Sequence, residues 1–315
     1  MIRQGARWVA ALAAVATAIG LSACGGSGDD DKVATATTPL VKPQPGPPIK
    51  IGTKDFTEEF ILGELYSQAL RAEGFKVRLK SNIGASEVTY QALANGSLDM
   101  YPEYVGTLLS ELANDTNRPS NPSAAYLRAK RFEERSGFTL LAPTPFSDSE
   151  ALAVTPKFAK RHAISSIADL RGLSPKPIIG APKEFRSRFE GLIGLEKVYG
   201  LHKPRFRMLD FGARYPSLDK GKADVVAVFT TERQLAGSRY VILDDPQGLF
   251  AIQHVAPIIS KKALASHGPR LRKVIDAVSA KLTTAAMRRM NGAVDIDGRA
   301  PRDVAAEFLR SQALV

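Results

Sequence analysis

A single cysteine, Cys24, serves a chain of 315 residues. No intramolecular disulfide can brace such a chain, so its stability must come from buried apolar surface. Histidine is nearly as scarce. His162, His202, His254 and His267 are the only four, and they fall at no spacing that suits a metal. No GxxxxGK loop is present to cradle a phosphate, and no serine sits in a G-x-S-x-G elbow. Nothing in this inventory asks for an enzyme, a cofactor or a metal. The basic residues are scattered, as at Lys157, Lys160, Arg161, Arg270, Arg272 and Lys273, and no aromatic residues interleave them. A nucleic-acid partner is therefore not expected, although the formal charge is +11.

The longest apolar run, from Trp8 to Leu21, is too short to span a bilayer comfortably. Arg3 and Arg7 precede it and Leu21-Ser22-Ala23-Cys24 follows, which is the order of a secretory signal. The segment resembles a bacterial lipobox, with cleavage after residue 23 leaving Cys24 as the first, lipidated residue. Loss of the two arginines lowers the formal charge to +9. The chain is then expected outside the cell membrane, held there by acyl chains. Residues 24–48 are Gly, Ser, Asp, Thr and Pro with no periodic apolar face, and read as a flexible tether.

Order is expected from Ile49. IKIG reads as a strand, Phe60 to Leu70 carries apolar residues at helical spacing, and Lys76 to Lys80 alternates as a second strand. A helix over Ser86–Asn95 and a strand over Leu98–Tyr101 complete a parallel βαβ pattern. A second set follows: strands at Ala151–Val154, Pro177–Ala181, Arg205–Asp210, Ala223–Phe229 and Tyr240–Leu243, with helices over Phe185–Tyr199 and Arg214–Lys220. Val255–Ile259 reads as a returning strand. Helices over Leu271–Leu282, one capped by Thr283 and one entered through Pro301, end the chain. Two similar α/β halves joined by extended segments describe a bilobed α/β protein with a cleft.

Open α/β sheets bind ligands beyond the carboxyl ends of their strands. The residues expected there are Asp55-Phe56-Thr57-Glu58-Glu59, Tyr101 to Thr107, Arg214-Tyr215 and Phe229-Thr230-Thr231, an aromatic and acidic set. The runs GTKDFTEEFILGELYSQAL, ALANGSLDMYPEYVGT, FGARYPSL and GLFAIQHVAPII resemble the substrate-binding proteins of glycine betaine, carnitine and choline ABC transporters. The likeness extends from Ile49 to Leu314. It implies a type II periplasmic binding-protein fold with a two-segment hinge. Lobe one would comprise 49–152 and 254–315, and lobe two 153–253.

The resemblance further implies a cage of aromatic rings around a quaternary ammonium group, each ring worth roughly 0.5 to 2 kcal/mol once desolvated. Its tyrosines fall on Tyr104 and Tyr215, and a third is replaced by Phe229. A fourth aligns with Glu150, so one ring is lost. Thr107 keeps the family's threonine for a betaine carboxylate, whereas the accompanying glutamine has become Glu59. If both glutamates face the cleft, the ligand is expected to be a net cation, such as choline or a diamine-like or guanidinium solute, rather than a zwitterionic betaine; a polyamine or ergothioneine-like solute is the alternative reading. Alternatively they face solvent or pair with Arg186, Arg188 or Arg214. The expected partners are an ABC permease and its ATPase, with the binding protein itself a monomer. A sensory or structural surface lipoprotein on the same fold is the other class of reading.

Overall fold

The structure, a computed structural model, describes residues 43–115, 119 and 121–315. The signal segment and Cys24 lie outside the described residues, as does most of the tether. The end of the tether is already ordered: the Gln44 N–H donates to the Gly74 carbonyl at 2.9 Å.

The first lobe is built on strands β1 (Ile49–Gly52), β2 (Val77–Lys80), β3 (Met100–Tyr104) and β4 (Phe138–Leu140). Helices α1 (Thr57–Ala72) and α2 (Ser86–Ala94) connect the first three, and α3 (Val105–Thr107) and α4 (Pro122–Arg135) precede β4. The second lobe has β5 (Glu150–Val154), α5 (Pro156–His162), β6 (Ile178–Ala181), α6 (Gly194–Tyr199) and β7 (Arg205–Met208). It continues through α7 (Arg214–Asp219), β8 (Val225–Phe229) and β9 (Val241–Ile242). The chain then returns as β10 (Val255–Ser260) and ends in α8 (Lys261–His267), α9 (Pro269–Lys281), α10 (Thr284–Asp295) and α11 (Pro301–Ser311).

Each lobe contains one five-stranded sheet, ordered β2-β1-β3-β10-β4 and β7-β6-β8-β5-β9. The two follow one plan. β1 lies between its parallel neighbours β2 and β3, as β6 lies between β7 and β8. The strands that arrive from the other lobe, β10 and β5, run antiparallel to β3 and β8. At β1 and β6 the strand order reverses, which opens a crevice at the carboxyl edge of each sheet. The segments crossing between the sheets lie side by side: Ser147 bridges His254 in antiparallel fashion, the Asp148 N–H donates to the Gln253 carbonyl at 3.1 Å, and His254 Nδ1 lies 2.9 Å from the carbonyls of Thr144 and Phe146. These two strands form the hinge.

Three local features differ from the reading of the sequence. The sequence expectation carries the first part of lobe one to Leu152, but Glu150 to Ala153 pair continuously with Phe229 to Val226, within the second sheet. The helix expected over Phe185–Tyr199 is broken. Gly191 adopts φ −144° and ψ −140°, and a Cβ there would lie 1.9 Å from the Phe185 carbonyl oxygen, so the chain folds back where no side chain fits. Helix α4 and strand β4 had no counterpart in the sequence reading. Their start signal is nevertheless present: Asn121 caps α4 by accepting the Ala124 N–H at 2.9 Å, and Pro122 opens the helix. Thr283 caps α10 as the sequence predicts, accepting the Ala286 N–H at 3.2 Å.

The core of the first lobe packs α1 against the sheet and against α9, α10 and α11, with Ile61, Leu62, Leu65 and Leu70 fully buried beside Leu271, Ile275 and Leu309. The tight fit of α1 to the segment after β1 depends on Gly63, where a Cβ would lie 2.3 Å from Thr53 Cγ2. Gly63→Ala is expected to lower stability by about 1–3 kcal/mol through overpacking, read by urea unfolding with an unchanged m-value. An unchanged midpoint would show that Thr53 can yield.

Candidate ligand-binding site

At the crevice of the first sheet, the chain leaves β1 through Thr53, Lys54, Asp55 and Phe56 before α1 begins. Lys54 turns inward and is 4% exposed. Its ammonium lies 2.5 Å from Glu103 Oε1, 3.9 Å from Glu59 Oε1 and 3.3 Å from Ser86 Oγ. It also lies 4.4 Å from the centre of the Tyr104 ring and 5.7 Å from that of Phe56. Glu59 is wholly buried, and its Oε2 accepts the Lys54 N–H at 3.1 Å. Burial pushes its carboxyl up to about 8; the Lys54 charge opposes this and Glu103 adds to it. Glu59 is thus turned toward Lys54 inside the lobe. Glu58, one residue earlier, holds the ring: the Tyr104 hydroxyl donates to Glu58 Oε1 at 2.7 Å, and Asn291 Nδ2 donates to Oε2 at 2.7 Å.

The second sheet carries a matching cluster at its own crevice. Arg214 is buried and donates to the carbonyls of Phe211 at 3.1 Å and Ala227 at 2.6 Å, and to Glu232 Oε1 at 2.5 Å. The Tyr215 hydroxyl donates to the other oxygen of Glu232, and its ring lies 4.8 Å from that of Tyr240. Phe211 and Phe229 stack at 6.2 Å, and the Arg214 guanidinium lies 4.8 Å from the Phe211 ring centre. Glu150 faces Phe229 across the β5–β8 ladder. Burial raises its carboxyl to about 8, Glu190 adds to this, and Arg188 and Arg214 oppose it.

Helix α10, in the first lobe, joins the two clusters. Asn291 bridges Glu58 and the Thr231 carbonyl, the latter at 3.3 Å, and Arg288 donates to the carbonyls of Thr230 at 2.7 Å and Leu235 at 3.2 Å. Thr231 Oγ1 in turn donates to Asp148 Oδ1 at 2.6 Å, on the first hinge strand. Burial raises the Asp148 carboxyl well above its ordinary range, and the neighbouring charge of Glu58 adds to the shift.

Of the residues read from the sequence, Tyr104, Tyr215, Phe229 and Glu150 all fall at these two crevices. The two tyrosines are 4% and 6% exposed, so most of each ring is already covered by its own lobe. Thr107 meets the second hinge strand, where its N–H donates to Gln253 Oε1 at 3.1 Å. The sequence reading assigned no role to Lys54, Glu232 or Asn291, and placed Glu58 only within the acidic turn after the first strand. Lys54 and Glu58 stand inside the GTKDFTEEF run itself, but their inward orientation depends on Glu103 and on Asn291, which is 233 positions away.

Two α/β lobes, each a five-stranded sheet, joined by hydrogen-bonded crossing strands, define the class of two-lobed solute-binding proteins. The chain belongs to the family described as the substrate-binding domain of ABC-type glycine betaine transport systems, whose profile matches residues 47–311. It is 31% identical over 278 residues to a glycine-betaine-binding protein of Pseudomonas aeruginosa, a match that covers 85% of this chain and 88% of the relative. It is 27% identical over 264 residues to an ergothioneine transport permease/binding protein of Helicobacter pylori, covering 83% of this chain and 47% of that longer protein. A solved structure described as a glycine betaine/carnitine/choline ABC transporter superposes with a TM-score of 0.77 at 25% identity, covering 84% of this chain and 99% of the other. Binding proteins of ABC importers act outside the cytoplasm. Among the described residues, no helix is long and apolar enough to cross a membrane.

The inward position of Glu59 gives stability a definite pH dependence. Its carboxyl ionises near 4.5 in the unfolded chain and near 8 when folded, so its contribution is full below 4.5 and is lost as pH rises through 8. Thermal unfolding from pH 5 to 9 should show the melting temperature falling toward pH 9, with a shallower fall in Glu59→Gln. Equal slopes would remove Glu59 as a cause.

Proposed function

We propose that the chain captures a small quaternary-ammonium solute of the choline or glycine betaine type and delivers it to an ABC permease and its ATPase, carrying out no chemistry on the solute. The observation that supports this best is the pairing of aromatic rings with carboxylates at both crevices. A quaternary ammonium group donates no hydrogen bonds, so it is held by ring faces and nearby negative charge. Asn291 and Arg288 span the lobes in this state. A bound solute that touched both lobes would favour closure by its differential affinity for the closed form.

Glu150 is the residue that tilts the choice of solute toward a net cation as it ionises, which burial delays to about pH 8. It stands beside Phe229 at the carboxyl edge of the second sheet, whereas Glu59 is committed to Lys54 and adds no charge at the crevice. A carboxyl group in place of a ring also suits a solute with hydrogen-bond donors, such as a guanidinium, polyamine or ergothioneine-like compound, which is the second reading. We assign β5 wholly to the second lobe, so that lobe one comprises 49–149 and 254–315. We also assign the chain to the outer face of the membrane as a monomer, anchored through a lipidated Cys24 that lies outside the described residues.

Isothermal titration with choline, glycine betaine, carnitine, ergothioneine and arginine tests this reading. Heat from at least one quaternary ammonium solute is expected, and silence with all five would overturn it. Choline affinity should rise about three- to tenfold from pH 7 to pH 9 as Glu150 loses its proton, and Glu150→Gln should flatten that rise. An unchanged pH profile in Glu150→Gln would place Glu150 away from the ligand.

A further inference from the structure

The first lobe has an edge strand whose charges are all positive. β2 pairs with β1 alone and closes one side of the sheet. Val77 and Leu79 are half-buried against the core, whereas Lys76, Arg78 and Lys80 alternate with them and are exposed. Alternate side chains along a strand stand about 6.6 Å apart, so the three cations form a row about 13 Å long. Among the described residues, no acidic side chain meets any of the three. Arg71, in the last turn of α1, joins the row by donating to the Val77 carbonyl at 3.3 Å. The acid between them in sequence, Glu73, is taken by Arg270. The corresponding edge of the second lobe, β7, repeats the alternation, with Arg205 and Arg207 exposed and Phe206 against the core. Cations on a sheet edge deter wrong pairing, which accounts for β7. What sets β2 apart is the path of the chain. The Gln44 N–H donates to the Gly74 carbonyl at 2.9 Å and the Ile49 N–H to the Lys76 carbonyl at 2.8 Å, so residues 44–49 run beside the entrance to β2. Residues 24–42 separate Cys24 from this point, about 65 Å of chain at full stretch.

From charge and chain path together we infer that the β2 edge rests on the anionic headgroups of the membrane, with Arg71, Lys76, Arg78 and Lys80 as its contacts. The inference rests on the reading of Cys24 as the point of anchorage. A tethered body meets the surface at high effective concentration, so a few weak contacts suffice to orient it. Such attraction reaches only about 10 Å at 0.1 M salt, so the cations must lie close to the headgroups to act. A straight row without neighbouring free carboxylates meets that condition. β2 also lies at the side of the first sheet away from β10, the strand that returns from the other lobe. Lobe one can therefore be held against the membrane while the hinge and lobe two stay free to move.

Because Cys24 is the only cysteine, the contact can be tested without native lipidation. The chain from residue 24 is coupled through Cys24 to a maleimide lipid, in vesicles of phosphatidylcholine alone or mixed with anionic phosphatidylglycerol. Acetylation of individual lysines is then followed by mass spectrometry. Lys76 and Lys80 should react about five- to tenfold more slowly on the anionic vesicles, and the difference should vanish at about 1 M salt. Lys203, beside β7, should react equally on both. Arg71→Gln combined with Arg78→Gln should restore most of the rate at Lys80; both residues are exposed, so the change spares the core. Equal rates at Lys76 and Lys80 on the two kinds of vesicle would overturn the inference alone. Equal slowing at Lys203 would reduce the contact to general attraction of a basic chain and would overturn it too. Absence of acyl groups on Cys24 of the chain isolated from cells would overturn the anchoring reading and this inference together.

Discussion

Burying the Lys54 ammonium is the commitment around which the first lobe is organised. Removing a charge of this kind from water costs several kcal/mol unless close partners replace the solvent. Here the cost is offset by Glu103 at 2.5 Å, by Ser86, and by the face of the Tyr104 ring. The same carboxylate accepts the Tyr104 N–H at 2.7 Å and the Tyr101 hydroxyl at 3.1 Å. One ion pair therefore ties the segment after β1 to the end of β3, the two places where the sheet opens its crevice. Glu59 completes the pocket and carries its proton at neutral pH, so the cluster holds one cation against one anion. Without this anchor neither Phe56 nor Tyr104 would have a fixed position.

The second lobe solves the same problem with different residues. Arg214 takes the place of Lys54, Glu232 that of Glu103 and Glu58 combined, and carbonyls of Phe211 and Ala227 each receive a further guanidinium donor. A planar guanidinium satisfies several acceptors at once, where an ammonium needs a tighter pocket. The two lobes thus offer rigid, internally neutral platforms. Their mutual position is governed elsewhere, by the crossing strands and by α10. Asn291 touches Glu58 on one side and Thr231 on the other, so hydrogen bonds run unbroken from the Tyr104 platform to the loop that follows Phe229.

The α/β plan was legible in the sequence wherever a strand or helix announces itself locally. IKIG alternates with a helix of clear apolar spacing, and Thr283 and Pro301 mark helix starts by side-chain chemistry alone. The break at Gly191 was hidden, because it depends on the Phe185 carbonyl pressing against a glycine rather than on any local turn signal. Helix α4 was missed although Asn121-Pro122 is a sound start, since its run from Pro122 to Arg135 is rich in charge and buries only Ala125, Ala129 and Glu133. At the site, motif and spacing identified the rings but not their coverage. Whether Tyr104 faces a ligand or a lysine is decided by Glu103 and Glu58, and whether Tyr215 is free is decided by Tyr240. Such contacts join separate elements, and no local pattern encodes them.

The placement of β10 bears on the order in which the molecule can assemble. The second sheet draws on one continuous stretch, Glu150 to Ile242, whereas the first has a vacancy between β3 and β4 until Val255–Ser260 arrives. A chain that emerges N-terminus first can therefore complete its later lobe while its earlier one is still open. Until then β3 presents an unpaired edge made of the strand that ends in Tyr104, and α1 lacks the helices α9, α10 and α11 that cover it. Closing so long a loop is slow, and an apolar edge left waiting is the part of such a chain most prone to pair wrongly. The residues that give the first lobe its binding platform are thus the last to become secure.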